Sequence, residues 1–157
     1  MISKNLQETE NTLLKNYEKY YRLAYSYTKN KEDALDVVQE SAYKAIRDCS
    51  KVENPAYLST WIYRIVINTA VDLLRKQQKD SSCTEIPEER CGREDIYRDP
   101  DLENALNSLN QTEKTIITLR YFEDLRLEDV ARIMNLNQNT VKAKLYRGLK
   151  KLRAKME

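Results

Sequence analysis

The stretch Leu125-Arg126-Leu127-Glu128-Asp129-Val130-Ala131-Arg132-Ile133-Met134-Asn135-Leu136-Asn137-Gln138-Asn139-Thr140-Val141-Lys142-Ala143-Lys144-Leu145-Tyr146-Arg147 decides how the chain is read. Val130, Ala131 and Ile133 give a short helix an apolar stripe. Asn135 follows where the chain must turn, and asparagine tolerates the left-handed conformation better than most residues. Asn137 suits the N-cap of a second helix. On that helix Val141, Leu145, Leu149 and Leu152 recur at helical spacing and define a core face. At about 100° per residue, Asn139, Thr140, Ala143, Arg147, Lys150 and Lys151 point the other way. The pattern predicts a helix-turn-helix whose second helix fits the major groove. A solvated basic face on a structural hairpin gives the same pattern.

Outward from this motif the chain reads as all-α. Only two glycines and three prolines occur in 157 residues, and the commonest residues are helix formers. A first helix is expected over 6–28, with Leu13, Leu14, Tyr17, Tyr20, Tyr21, Ala24 and Tyr27 on its apolar face. Asn30, with Asp33 three residues on, resembles a capping box for a second helix over 31–49. That helix is expected to bury Leu35, Val38, Ala42, Ala45, Ile46 and Cys49, and to expose Asp33, Asp36, Val37, Glu40 and Lys44. Asn54-Pro55 starts a third helix running to Lys79. After a polar, acidic stretch come helices over 101–109, 112–122, 127–134 and 138–156. The expected organisation is two small helical domains, 1–79 and 101–157, joined by an acidic, flexible linker, 80–100.

Charge and composition exclude several functions. Lys and Arg total 27 against 25 Asp and Glu, so the chain is no polycation. The charge is nonetheless uneven, with basic excess in both flanks and acidic excess in 80–100. There is no histidine for acid–base work and no glycine-rich phosphate loop. Three cysteines, Cys49, Cys83 and Cys91, form no CxxC pair. Neither a zinc site nor any other metal or cofactor is expected, and the chain is not expected to be an enzyme. Asp33, Asp36 and Glu40 on one helix face suit a solvated or partner-binding surface better than a metal site. With no apolar leader and no run near ~18 apolar residues, neither secretion nor membrane insertion is expected. A reducing, cytoplasmic setting fits the cysteine count.

Two surfaces carry chemistry besides the motif. Val37 among carboxylates suggests a face that docks on something both basic and apolar, such as another protein's helices. On the third helix Trp61, Arg64, Asn68, Asp72 and Arg75 form a stripe at helical spacing. An aromatic leading cationic and amide groups suits unstacked bases, although Trp61 packing on the first helix is an equal alternative.

These residues carry a family resemblance. Tyr20-Tyr21-Arg22-Leu23-Ala24-Tyr25 followed by Asp33-Ala34-Leu35-Asp36-Val37-Val38-Gln39-Glu40 is similar to regions 2.1 and 2.2 of sigma-70-type initiation factors. Trp61-Ile62-Tyr63-Arg64-Ile65-Val66-Ile67-Asn68-Thr69-Ala70-Val71-Asp72-Leu73-Leu74-Arg75 resembles regions 2.3 and 2.4. The stretch from Leu109 to Leu152 resembles region 4. The chain looks like the extracytoplasmic-function (ECF) group, which retains only regions two and four.

The resemblance implies that Asp33, Asp36, Val37, Gln39 and Glu40 bind core RNA polymerase. It implies that the loop 51–57, with Asn54 and Tyr57, together with Trp61, Arg64, Asn68 and Arg75, captures the melted −10 strand. Asn139, Thr140, Lys142, Ala143, Lys144, Tyr146 and Arg147 would address the duplex −35 element. Lys142, Ala143, Tyr146 and Arg147 would read bases, with Thr140 and Lys144 closer to phosphates. An anti-sigma factor is the further partner implied. The chain departs from the family where Asn135 replaces a common turn glycine, Arg126 a Ser/Thr cap, and Ala143 a serine. A competing class is an operator-binding helix-turn-helix dimer, for which no heptad or apolar seam is evident.

Overall fold

A computed structural model describes residues 2–80 and 100–156 of the chain. Among the described residues there is no strand. Eight α-helices follow in order: α1 Ile2–Lys15, α2 Tyr17–Thr28, α3 Lys31–Arg47, α4 Leu58–Asp80, α5 Pro100–Asn107, α6 Gln111–Ile117, α7 Leu127–Met134 and α8 Gln138–Met156. The chain separates into two compact units that divide between Glu94 and Asp95. The expected linker lies almost wholly outside the described residues, as do Cys83 and Cys91.

In the first unit α2, α3 and α4 pack on one another, and α1 lies against α3, α4 and the 3-10 turn Cys49–Lys51. Leu23, Ala24, Ala34, Val37, Ile62, Tyr63, Val66 and Ala70 fill the core. Tyr20 and Tyr63 meet edge to face with centroids 4.9 Å apart, a favoured aromatic geometry. The single helix expected over 6–28 is two helices. Asn16 leaves helical geometry at φ −107°, ψ 19°, without a side-chain cap. The break turns Leu14 and Tyr17 outward, contrary to expectation, leaving them 78% and 45% exposed.

The α3 cap forms as its sequence predicts. Asn30 Oδ1 accepts the Asp33 backbone N–H at 2.8 Å, and Asn30 Nδ2 donates to Asp33 Oδ2 at 2.8 Å. The face that α3 buries is rotated from the expected one. Val37 is 1% exposed whereas Ile46 is 40% exposed. Packing between α2 and α4 buries a stripe through Ala34, Val37, Val38, Ser41 and Ala45, turned toward Val37 and away from Ile46. Asn54 starts the next element by accepting the Ala56 N–H at 3.0 Å, over a 3-10 turn Pro55–Tyr57 that leads into α4.

In the second unit α8 is the hub, packed by α5, α6 and α7. A full capping box starts α6: Asn110 Oδ1 accepts the Glu113 N–H at 2.8 Å, and Glu113 Oε1 accepts the Asn110 N–H at 3.3 Å. The expected helix 112–122 ends differently, its last turn Thr118–Phe122 widening into a π-turn. Asp124, at φ 56°, then reverses the chain.

Candidate nucleic-acid and protein interfaces

The α7–α8 hairpin has the helix-turn-helix geometry that its sequence predicts. Asn135 adopts φ 57°, ψ 46°. Its N–H donates to Arg132 O at 3.2 Å and that of Leu136 to Ala131 O at 3.0 Å, the paired bonds of a Schellman ending. Asparagine therefore does the work of the common turn glycine. Asn137 Oδ1 accepts the Asn139 N–H at 2.7 Å and starts α8. Arg126 makes no side-chain cap, but its guanidinium lies 3.1 Å from Glu128 and 3.6 Å from Asp129 in the first turn of α7.

Val130, Ala131, Ile133, Val141 and Leu145 close the core between these helices. That leaves Asn139, Lys142, Ala143, Tyr146 and Arg147 exposed on one side of α8, with Thr140 and Lys144 half-buried. Lys142 Nζ lies 6.0 Å from the Tyr146 ring centroid, so the two form a cation–π pair within the face. From Gln138 to Met156 the helix carries no acid. Such a face attracts phosphate and offers both donors and an aromatic edge to bases. One residue of the outward set also has a partner on α6: Lys151, exposed as expected, donates through Nζ to both carboxylate oxygens of Glu113, at 3.1 and 3.2 Å. Periodicity around α8 places Lys151 outward but cannot show its partner, a buried carboxylate on α6.

In the first unit α3 and α4 border a groove of about 690 Å³. Asp36, Val37, Gln39, Glu40 and Lys44 line it from α3, and Thr69, Asp72, Leu73, Arg75 and Lys76 from α4. Asp36, Gln39 and Glu40 are exposed, and Lys44 Nζ donates across the groove to Thr69 Oγ1 at 3.1 Å. Val37, expected on the surface, instead lies beneath these groups as an apolar floor. Asp33 is only partly available, since Gln77 Nε2 donates to its Oδ2 at 2.8 Å.

The stripe on α4 is present. Arg64, Asn68 and Arg75 are exposed, Trp61 is half-buried, and Tyr57 is 42% exposed just before them. Arg75 also lines the α3–α4 groove and lies 3.9 Å from Asp72, so the two predicted surfaces of this unit meet at its side chain. Among the described residues no cluster of His, Cys, Asp and Glu is arranged to hold a metal ion, and no helix is long and apolar enough to cross a membrane.

Comparison with known proteins assigns these two units. Residues 13–80 match the sigma-70 region 2 family, and residues 100–152 match sigma-70, region 4. The RNA polymerase sigma factor SigV of Bacillus subtilis is 49% identical over 141 residues, covering 87% of this chain and 84% of that protein. The ECF RNA polymerase sigma-E factor of Haemophilus influenzae is 32% identical over 145 residues, covering 82% of this chain and 77% of that protein. In fold the chain is similar to the sigma factor RpoE solved in complex with the anti-sigma factor NepR from Bartonella quintana. That likeness has a TM-score of 0.78 at 22% identity, over 94% of this chain and 95% of the other. The chain belongs to the sigma-70 family of RNA polymerase sigma factors, in its extracytoplasmic-function group.

Proposed function

We propose that this protein joins core RNA polymerase through the α3 side of the groove and selects promoters with the exposed faces of α4 and α8. As a sigma factor it directs promoter-specific initiation by core RNA polymerase. It carries no catalytic residues of its own and works in the cytoplasm beside the polymerase. Asp36, Gln39 and Glu40 make the polar contacts with core, over the apolar floor at Val37. Asp33 acts mainly through the position it gives α3.

Trp61 stacks on or wedges against an unpaired base of the −10 strand. Tyr57, Arg64 and Asn68 hold neighbouring bases and phosphates, and Asn54 shapes the loop. Arg75 extends this surface toward core. Lys142, Ala143, Tyr146 and Arg147 read the −35 duplex, while Asn139, Thr140 and Lys144 fix register on phosphates. An anti-sigma factor that covers either surface would silence the protein.

The observation that carries the reading is the acid-free exposed face of α8, set on a buried helix-turn-helix and coupled in one chain to an acid-bordered groove. Electrophoretic mobility shifts with promoter duplex test it. Specific binding is expected with core polymerase present and only weak binding without it. Tight, specific binding by a dimer of this chain alone would support the operator-binding class instead.

A further inference from the structure

The contact between α6 and α8 centres on Gly148, which is buried. A Cβ there would lie 3.0 Å from Ile117 Cδ1 and 3.5 Å from Glu113 Cβ, so the Ile117 and Glu113 side chains of α6 pack against a position of α8 that has no side chain of its own. One turn further along α8, Lys151 donates to both oxygens of Glu113, a carboxylate only 1% exposed. A buried carboxylate is costly unless paired and hydrogen-bonded. Glu113 is also fixed from its own side, as the reciprocal member of the α6 capping box. Gly148 and the Lys151–Glu113 pair thus both join α8 to α6, one turn apart.

We propose that Gly148, Glu113 and Lys151 are positioning residues that set the angle at which α8 presents its reading face to the −35 duplex. This rests on the assignment of that face to DNA. The leverage is geometric. Asn139 lies nine residues before Gly148, about 13 Å away along the helix at ~1.5 Å per residue. A tilt of about 15° at the crossing therefore moves Asn139 by roughly 3.5 Å, the rise of one base step. Hydrogen bonds to base edges do not survive such a shift, whereas phosphate attraction does. In this account Lys151 acts on specificity without touching DNA.

The test uses the full chain with core polymerase. A −35 element is first recovered with the wild-type protein by selection from random duplexes. Affinity is then measured for promoters with that element intact or scrambled, over a series of salt concentrations. Glu113→Gln, isosteric and remote from solvent, is expected to lower the intact-to-scrambled ratio by roughly 5- to 150-fold, the equivalent of one lost base contact. Its salt slope should not change. Gly148→Ala should lower the ratio too, and Ile117→Val, which removes the Cδ1 in the way, should restore it in the double variant. That rescue is readable even if Glu113→Gln folds poorly.

An unchanged ratio in Glu113→Gln with only a lower melting temperature overturns the proposal. So does a general rise in affinity for all duplexes, which would mark Lys151 as a phosphate contact released from its partner. A wild-type protein that selects no element would instead refute the assignment of α8 to DNA.

Discussion

Gln77, near the end of α4, donates a 2.8 Å hydrogen bond to Asp33, the third residue of α3. The same carboxylate oxygen accepts Asn30 Nδ2 at 2.8 Å. Asp33 thus ties the start of one helix to the end of another, which divides the acidic residues of α3 into two kinds.

Asp33→Ala should lower unfolding free energy by about 1 kcal/mol, the net worth of a partly exposed hydrogen bond, and weaken core binding only modestly. Asp36→Arg with Glu40→Arg should abolish core binding while the far-ultraviolet circular dichroism spectrum stays that of the wild type. Reversing two exposed charges breaks complementarity and leaves the hydrophobic core untouched. Co-purification with tagged core polymerase reads both. Normal co-purification of the double reversal would remove α3 from the interface.

Val37→Ala should destabilise the first unit by about 2 kcal/mol, from lost methyl burial and the cavity that remains. Urea denaturation measures this. A wild-type midpoint combined with loss of core binding would place Val37 back on the surface.

Burial of α3 shows where sequence reasoning reached its limit. The all-α class, the Asn30 cap, the Asn135 turn and the outward face of the second helix of the motif are legible, because each follows from local spacing or a local side-chain bond. The rotation of the buried stripe on α3 is not. Its limits depend on packing between α2 and α4, and periodicity around one helix cannot say how many neighbours it has. The break at Asn16 is not legible, because the apolar pattern continues across it in phase. Lys151 is exposed as its spacing predicts, but its partner Glu113, 38 residues away on α6, is not legible from periodicity. Gly148 gave one usable hint, as a glycine inside an otherwise strong helix.

Arg147→Ala should reduce affinity for an intact −35 element by ~1–3 kcal/mol and relax preference at a single base pair, as loss of a bidentate contact does. Lys144→Ala should weaken binding evenly across sequences and reduce the salt slope by about one. Selection from random duplexes with each variant separates the two. Matching, sequence-independent losses would make Arg147 a phosphate clamp.

Trp61→Ala should leave the closed promoter complex formed and impair opening, since the residue is only half-buried and heads the helical stripe of Arg64 and Asn68. Permanganate reactivity of −10 thymines should fall, and recover on a template already mismatched there, where the unstacking cost of a few kcal/mol is absent. Stability should drop by less than the ~3–5 kcal/mol of a fully buried aromatic. A larger loss with normal opening would make Trp61 a core residue.

Run-off transcription with purified core polymerase decides whether the chain initiates at promoters. The wild-type chain should convert core from no promoter-directed product to a transcript of defined length, started downstream of the selected −35 and −10 elements. Asp36→Arg/Glu40→Arg should give none. If the wild-type chain binds the promoter yet core yields no discrete transcript in its presence, the account is contradicted.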